Sequence, residues 1–152
     1  MEIKDILVPV DFSPSSLRAI EFARSLVEKD GEVYLLHVID IDFVQRLTDE
    51  GFSEPEAATA RIRGRAEGLL VEMVDEILKR IPESEPKLET MVVVGKPFAE
   101  ILRVAADLDF QMIVLATHSR ERGHLEELLF GSTAEKVLRG SRVPVIFVPA
   151  AD

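Results

Sequence analysis

Gly131, Ser132 and Thr133 stand immediately before Ala134, Val137 and Leu138, which recur at helical spacing. A helix that begins here offers backbone N–H groups without intrahelical partners. Its macrodipole adds partial positive charge, so an anion is favoured at that end. Gly131 lets the backbone approach a ligand closely, and the hydroxyls of Ser132 and Thr133 add donors. The tripeptide is equally an ordinary helix N-cap, a role Ser and Thr fill routinely, so alone it leaves both readings open. It closes the stretch from Met112 to Lys136, in which an apolar run, a polar turn and an amphipathic piece precede Gly-Ser.

The second candidate is Asp11, placed where the apolar run Ile6-Leu7-Val8-Pro9-Val10 ends. At the end of a parallel strand a carboxylate can hydrogen-bond ribose hydroxyls. It can also serve the backbone of the helix that starts near Ser13. Asp40 and Asp42 lie just past a second apolar run, where they could assist a divalent ion brought by phosphates or simply be solvated. His37, His118 and His124 show no i, i+4 pairing, so no dedicated metal site is expected. Gly-x-Ser-x-Gly and Gly-x-x-x-x-Gly-Lys-Ser/Thr are both absent, so neither a nucleophile elbow nor a Walker loop is present. A phosphorelay receiver would need an aspartate after the third strand, where the chain reads Val94-Gly95-Lys96-Pro97. The chain is not expected to be an enzyme, beyond at most a slow ATPase.

The elements that must hold these residues alternate. Ile6 to Val10 reads as a strand buried on both faces, stopping at Asp11. Ser13 is placed as an N-cap and Pro14 as the first helical residue, followed by Leu17, Ile20, Ala23 and Val27 at helical spacing. Val33 to Ile39 is the second strand, and residues 41–56 carry a weak pattern with room for one short helix. Ala66, Leu69, Leu70, Met73 and Ile77 mark a long helix laid on a sheet. Leu88 to Val94 is the third strand, Phe98 to Ala105 a helix, Gln111 to Ala116 the fourth strand and Val143 to Val148 the fifth, flanked by Pro144 and Pro149. Strand–helix alternation predicts one α/β domain over residues 1–152, an open, doubly wound, five-stranded parallel sheet with helices on both faces. Right-handed crossovers then bring the loops after strands one and four together.

Composition narrows the partners. A chain of 152 residues can bury roughly 70% of its unfolded surface, and 47% apolar with 30% charged residues excludes wholesale disorder. A net charge of −10 opposes binding to nucleic acid or anionic membrane. Without cysteine there can be no disulfide or thiolate chemistry. The first apolar segment is too short for a signal or a membrane span, so a cytoplasmic protein is expected.

Gly131-Ser132, followed by Ala134-Glu135-Lys136-Val137-Leu138-Arg139 and Val143-Pro144-Val145-Ile146-Phe147-Val148, resembles the universal stress protein family, Rossmann-like proteins of the adenine nucleotide alpha hydrolase type. Its nucleotide-binding members carry Gly-x-x-Gly, nine residues, then Gly-Ser or Gly-Thr. Ala116 and Ser119 occupy the first two glycine positions here, and eleven residues separate Ser119 from Gly131. Were positive φ needed at either position, a Cβ would cost on the order of 1–3 kcal/mol. The added residues fall within Arg120-Glu121-Arg122-Gly123-His124, where either arginine could contact phosphate or lie in solvent.

Val8-Pro9-Val10-Asp11-Phe12-Ser13 and His37-Val38-Ile39-Asp40 are similar to the family's first two strands, and Gly95-Lys96-Pro97 to its Gly-x-Pro helix opening. The resemblance implies that Pro9, Val10 and Asp11 lie beside ribose and base and that the backbone at Val38 faces adenine, while Val38 also packs in the core. It implies phosphate contacts from Ala116, Ser119, Gly131, Ser132 and Thr133. The expected ligand is ATP or AMP, with Mg²⁺ only alongside the nucleotide. The resemblance also implies a homodimer through Val145, Ile146, Phe147 and Val148, whose apolar edge a second chain would cover; Pro144 and Pro149 are the alternative protection. Two functions follow: a nucleotide-responsive stress module, or a dimeric interaction module that has lost the nucleotide and acts on an unknown protein partner.

Overall fold

The computed structural model describes residues 1–51, 54–80, 86–116 and 132–149. Its elements are β1 (Asp5–Pro9), α1 (Pro14–Leu26), β2 (Glu32–Asp40), α2 (Ile41–Asp49), α3 (Pro55–Arg80), β3 (Lys87–Gly95), α4 (Pro97–Asp107), β4 (Met112–Ala116), α5 (Ser132–Gly140) and β5 (Val145–Val148). The strands form one five-stranded sheet in the order β3-β2-β1-β4-β5, with every pairing parallel. The doubly wound sheet is as expected.

Strand side chains alternate between faces, and here both faces are covered. Ile6, Val8, Val33, Leu35 and Val114 pack with Ile20 and Ala23 of α1 and with Leu70, Met73 and Ile77 of α3. Leu7, Leu36, Ile113 and Leu115 pack with Ile101 and Val104 of α4 and with Ala134 and Val137 of α5. This two-sided burial explains why β1 and β4 read as continuous apolar runs rather than alternating ones.

Boundaries differ from the sequence reading where proline or glycine intervenes. β1 ends at Pro9, although the Val10 N–H still donates to Leu36 O at 2.8 Å. β5 starts at Val145, and the Pro144 carbonyl accepts from Ile113 N–H. The long helix α3 begins at Pro55, a full three turns before Ala66. Gly64 obscures its first half; a Cβ there would meet no neighbour within 4 Å. Gly31, by contrast, is required: a Cβ there would stand 2.5 Å from Lys4 O, where the chain turns into β2.

The two sheet edges are treated differently. On β3, Val44 of α2 and Ala58 and Ile62 of α3 belong to the cluster that packs with Val92 and Val94, and Arg63 Nη1 donates to Val92 O at 3.0 Å. β5 has β4 on one side and no second strand among the described residues.

At the far end of β2, Tyr34, the single tyrosine of the chain, donates to the Glu32 carboxylate. That bond, partial burial and the charges of Glu32, Glu89 and Asp5 push its phenol up to about 12 from 10. Between those values the folded protein keeps a proton that the unfolded chain releases, so this group's stabilisation is lost as pH rises through that window. Ultraviolet titration of tyrosinate should give a midpoint near 12 in the folded protein, and Glu32→Gln should bring it down; an unshifted midpoint would refute the Glu32 bond.

Candidate functional site

The chain leaves β1 toward α1 on one face of the sheet, whereas α5 lies on the opposite face. A crevice opens between the carboxyl ends of β1 and β4. It is a cleft of about 250 Å³ lined by Pro9, Val10, Asp11 and Ser16, by Leu36, His37 and Val38, by Pro97 and Ile101, by Leu115 and Ala116, and by Thr133 and Ala134. Ligand pockets commonly span about 300–1,000 Å³.

Of the residues singled out from the sequence, Pro9, Val10, Asp11, Val38, Ala116 and Thr133 meet in this one cleft. Ser119 and Gly131 lie outside the described residues, as do His118, His124, Arg120 and Arg122; Ser132 opens α5. Leu36, Ser16, Pro97, Ile101, Leu115 and Ala134 were not anticipated as lining. Their apolar members read as ordinary core positions, and nothing in the pattern distinguishes the last core layer from a ligand wall.

Asp11 is organised by its own loop. Its Oδ1 accepts from the Ser13 N–H at 3.0 Å and from Ser16 Oγ at 2.9 Å, while its N–H donates to Ser16 Oγ at 3.2 Å. Ser13 occupies the N-cap position with Pro14 after it, but its side chain makes no capping bond. The helix-start role of Asp11 is therefore present, and it coexists with a place on the cleft rim. Phe12 adopts φ +66°, unusual for a bulky residue, and its ring lies 4.5 Å from that of His37. No sequence signal marks that conformation.

Ala116 ends β4 without positive φ. The Cβ that stands in place of the expected glycine is accommodated there without backbone strain. Asp40 Oδ1 accepts from the Asp42 N–H at 2.9 Å, capping α2, and no group of three or more acidic or histidine side chains among the described residues could hold a metal.

Donors converge on the cleft from helix starts. Pro97 opens α4 and Thr133 lies in the first turn of α5, so both positive dipole ends face the same space. Lys136 Nζ lies 4.9 Å from the centre of the Phe98 ring, holding a cation beside the start of α4. Gly95 precedes this helix because Glu100 folds into the place a Cβ would take, 2.5 Å from its Cγ. The arrangement offers an apolar slot, a carboxylate on one side and anion-favouring helix starts on the other.

The sequence model of the universal stress protein family matches residues 2–149. The chain belongs to the universal stress protein family. Among relatives of this universal stress protein, MJ0531 of Methanocaldococcus jannaschii is 30% identical over 95% of this chain and 81% of its own. MJ0577 of the same organism is 29% identical over 95% and 94%. The solved structure of MJ0577 superposes with a TM-score of 0.79 at 28% identity, covering 100% of this chain and 99% of that one. A universal stress protein solved with cAMP shares the fold, with a TM-score of 0.69 at 18% identity over 99% and 100% of the two chains. One from Archaeoglobus fulgidus solved with dAMP does so at 0.61 and 22%, over 97% and 98%.

The loop geometry separates two roles of Asp11. Asp11→Ala should lower stability by about 1–2 kcal/mol, because the buried Ser16 hydroxyl and the Ser13 amide lose their acceptor. Asp11→Asn keeps an oxygen in place and should unfold in urea within about 0.5 kcal/mol of the parent; equal losses for both would contradict this account.

Proposed function

We propose that this universal stress protein binds an adenine nucleotide, ATP or AMP, in the cleft between β1 and β4 and acts as a sensor or regulator. The observation that carries the reading is the convergence of Asp11, Val38, Ala116 and Thr133 on one apolar cleft. A carboxylate beside the slot suits ribose hydroxyls, the strand backbone at Val38 suits a base edge, and the helix starts suit phosphates. Ala116 supports it, since the position does not require positive φ and the Cβ adds no backbone strain. The universal stress proteins solved with cAMP and dAMP are nucleotide binders of the same fold; the step to this chain rests on its own residues. Mg²⁺ would enter with the nucleotide. Binding rather than turnover is favoured because Asp11, the carboxylate lining the cleft, is already committed through Oδ1 to Ser13 and Ser16.

Ser119 and the eleven-residue spacing before Gly131 favour a second reading, a dimeric interaction module that has given up the nucleotide. Calorimetric titration with ATP and Mg²⁺ separates the two. Saturable binding, weakened roughly tenfold or more by Asp11→Asn through loss of a charge-assisted bond and abolished by Gly131→Val, is expected. Absence of heat up to millimolar ATP would leave the second reading in place.

The assembly proposed is a homodimer through Val145, Ile146, Phe147 and Val148. The chain covers its β3 edge with Arg63 and the α2–α3 cluster, whereas β5 presents an apolar edge that another β5 can pair. Sedimentation velocity should show a dimer that Ile146→Asp converts to monomer; a monomeric parent across the concentration series would reject it.

A further inference from the structure

His37 belongs to β2, yet its ring lies on the face that carries α1 and α3. It shares parity with Val33 and Leu35, while Leu36 and Val38 turn toward the other face. Its Nδ1 is 2.9 Å from Val10 O, and its ring is tilted by 39° against that of Phe12. A carbonyl can only accept, so Nδ1 carries the proton. Val10 is then held at both polar groups, its N–H by Leu36 O and its carbonyl by His37. Asp11 and the left-handed Phe12 come directly after it.

We propose that His37 is a positioning residue for the cleft. From the end of β2, where it also lines the cleft, it pins the Val10 carbonyl and braces Phe12 in its left-handed conformation, and so fixes where the Asp11 carboxylate stands on the rim. Two independent features lead here. A positive φ at a bulky residue persists only where surroundings over-determine it, and the His37 ring is the aromatic surface against Phe12. The hydrogen bond crosses from β2 to the end of β1, where β1 has passed its last paired residue, Pro9. Through Asp11 the restraint continues to the Ser13 amide and Ser16 hydroxyl.

The binding consequence rests on the nucleotide reading above; the loop geometry does not, and the test keeps them apart. Asparagine places its amide nitrogen where Nδ1 stands, so His37→Asn keeps the donor, whereas His37→Leu keeps bulk and loses it. Ile77→Val in α3 serves as a variant weakened elsewhere. In the parent, nitrogen NMR should show His37 protonated at Nδ1. Exchange of the Ser13 amide should quicken about tenfold in His37→Leu, the worth of one net hydrogen bond. It should stay within about threefold of the parent in His37→Asn and be unchanged in Ile77→Val. ATP affinity should follow the same order.

An Nδ1 without a proton overturns the proposal even if no variant folds. So does a Ser13 amide equally slow in all variants, or equally fast in His37→Asn and His37→Leu, which would assign the effect to packing. A parent that binds no ATP while the exchange pattern holds would remove the nucleotide reading and leave the positioning role standing.

Discussion

The structure depends on the divergence of the chain at two neighbouring strands. β1 and β4 are hydrogen-bonded partners, but the helix after β1 packs on one face of the sheet and α5 on the other. Because the two helices lie on opposite faces, a crevice opens between these strand ends, as at the switch point of other doubly wound sheets. The residues that line it are ordinary strand-end and helix-start positions. Their value comes from arriving together, and the same helix starts that need external partners for their N–H groups supply the cleft with its preference for anions.

Within that crevice the segment Val10–Ser13 is held more tightly than a surface loop requires. Val10 is bonded at both its N–H and its carbonyl, Asp11 and Ser16 exchange reciprocal bonds, and Ser16 N–H returns to Ser13 O. Such bonds offset a left-handed Phe12, a conformation costing on the order of 1–3 kcal/mol. A rim set in this way loses little freedom when a ligand arrives, which is the thermodynamic meaning of preorganisation.

Much of this was legible from the chain alone. Ile6-Leu7-Val8 and Ile113-Val114-Leu115 announce doubly covered strands, Ser13-Pro14 announces a helix start, and alternation gives the sheet. From these follow the crevice and the meeting of Asp11 with Thr133. What escaped reading has physical causes. Gly64, costing about 1 kcal/mol relative to alanine in a helix, helped to hide the first half of α3, which forms because Ala58 and Ile62 bury against β2 and β3. Ile101 and Leu115 look like core residues because they are core residues, one layer of which faces a cavity instead of a neighbour. The conformation of Phe12 was invisible because aromatic side chains do not signal positive φ; it arises from tertiary contacts.

The cleft's helix starts sit inside a molecule whose formal charge is −10. At separations beyond about 10 Å an anion meets the net charge, which repels it, and ionic screening decides how strongly. Within the cleft it would meet the local dipoles of the helix starts, which attract it. The two fields act at different ranges, so salt that screens the outer one speeds the arrival of an anionic ligand while the enclosed contacts, less exposed to screening, continue to govern its departure. Entry and residence of an anion would thus answer to separate parts of the sequence: the surface carboxylates to one, and the three strand ends with their helices to the other.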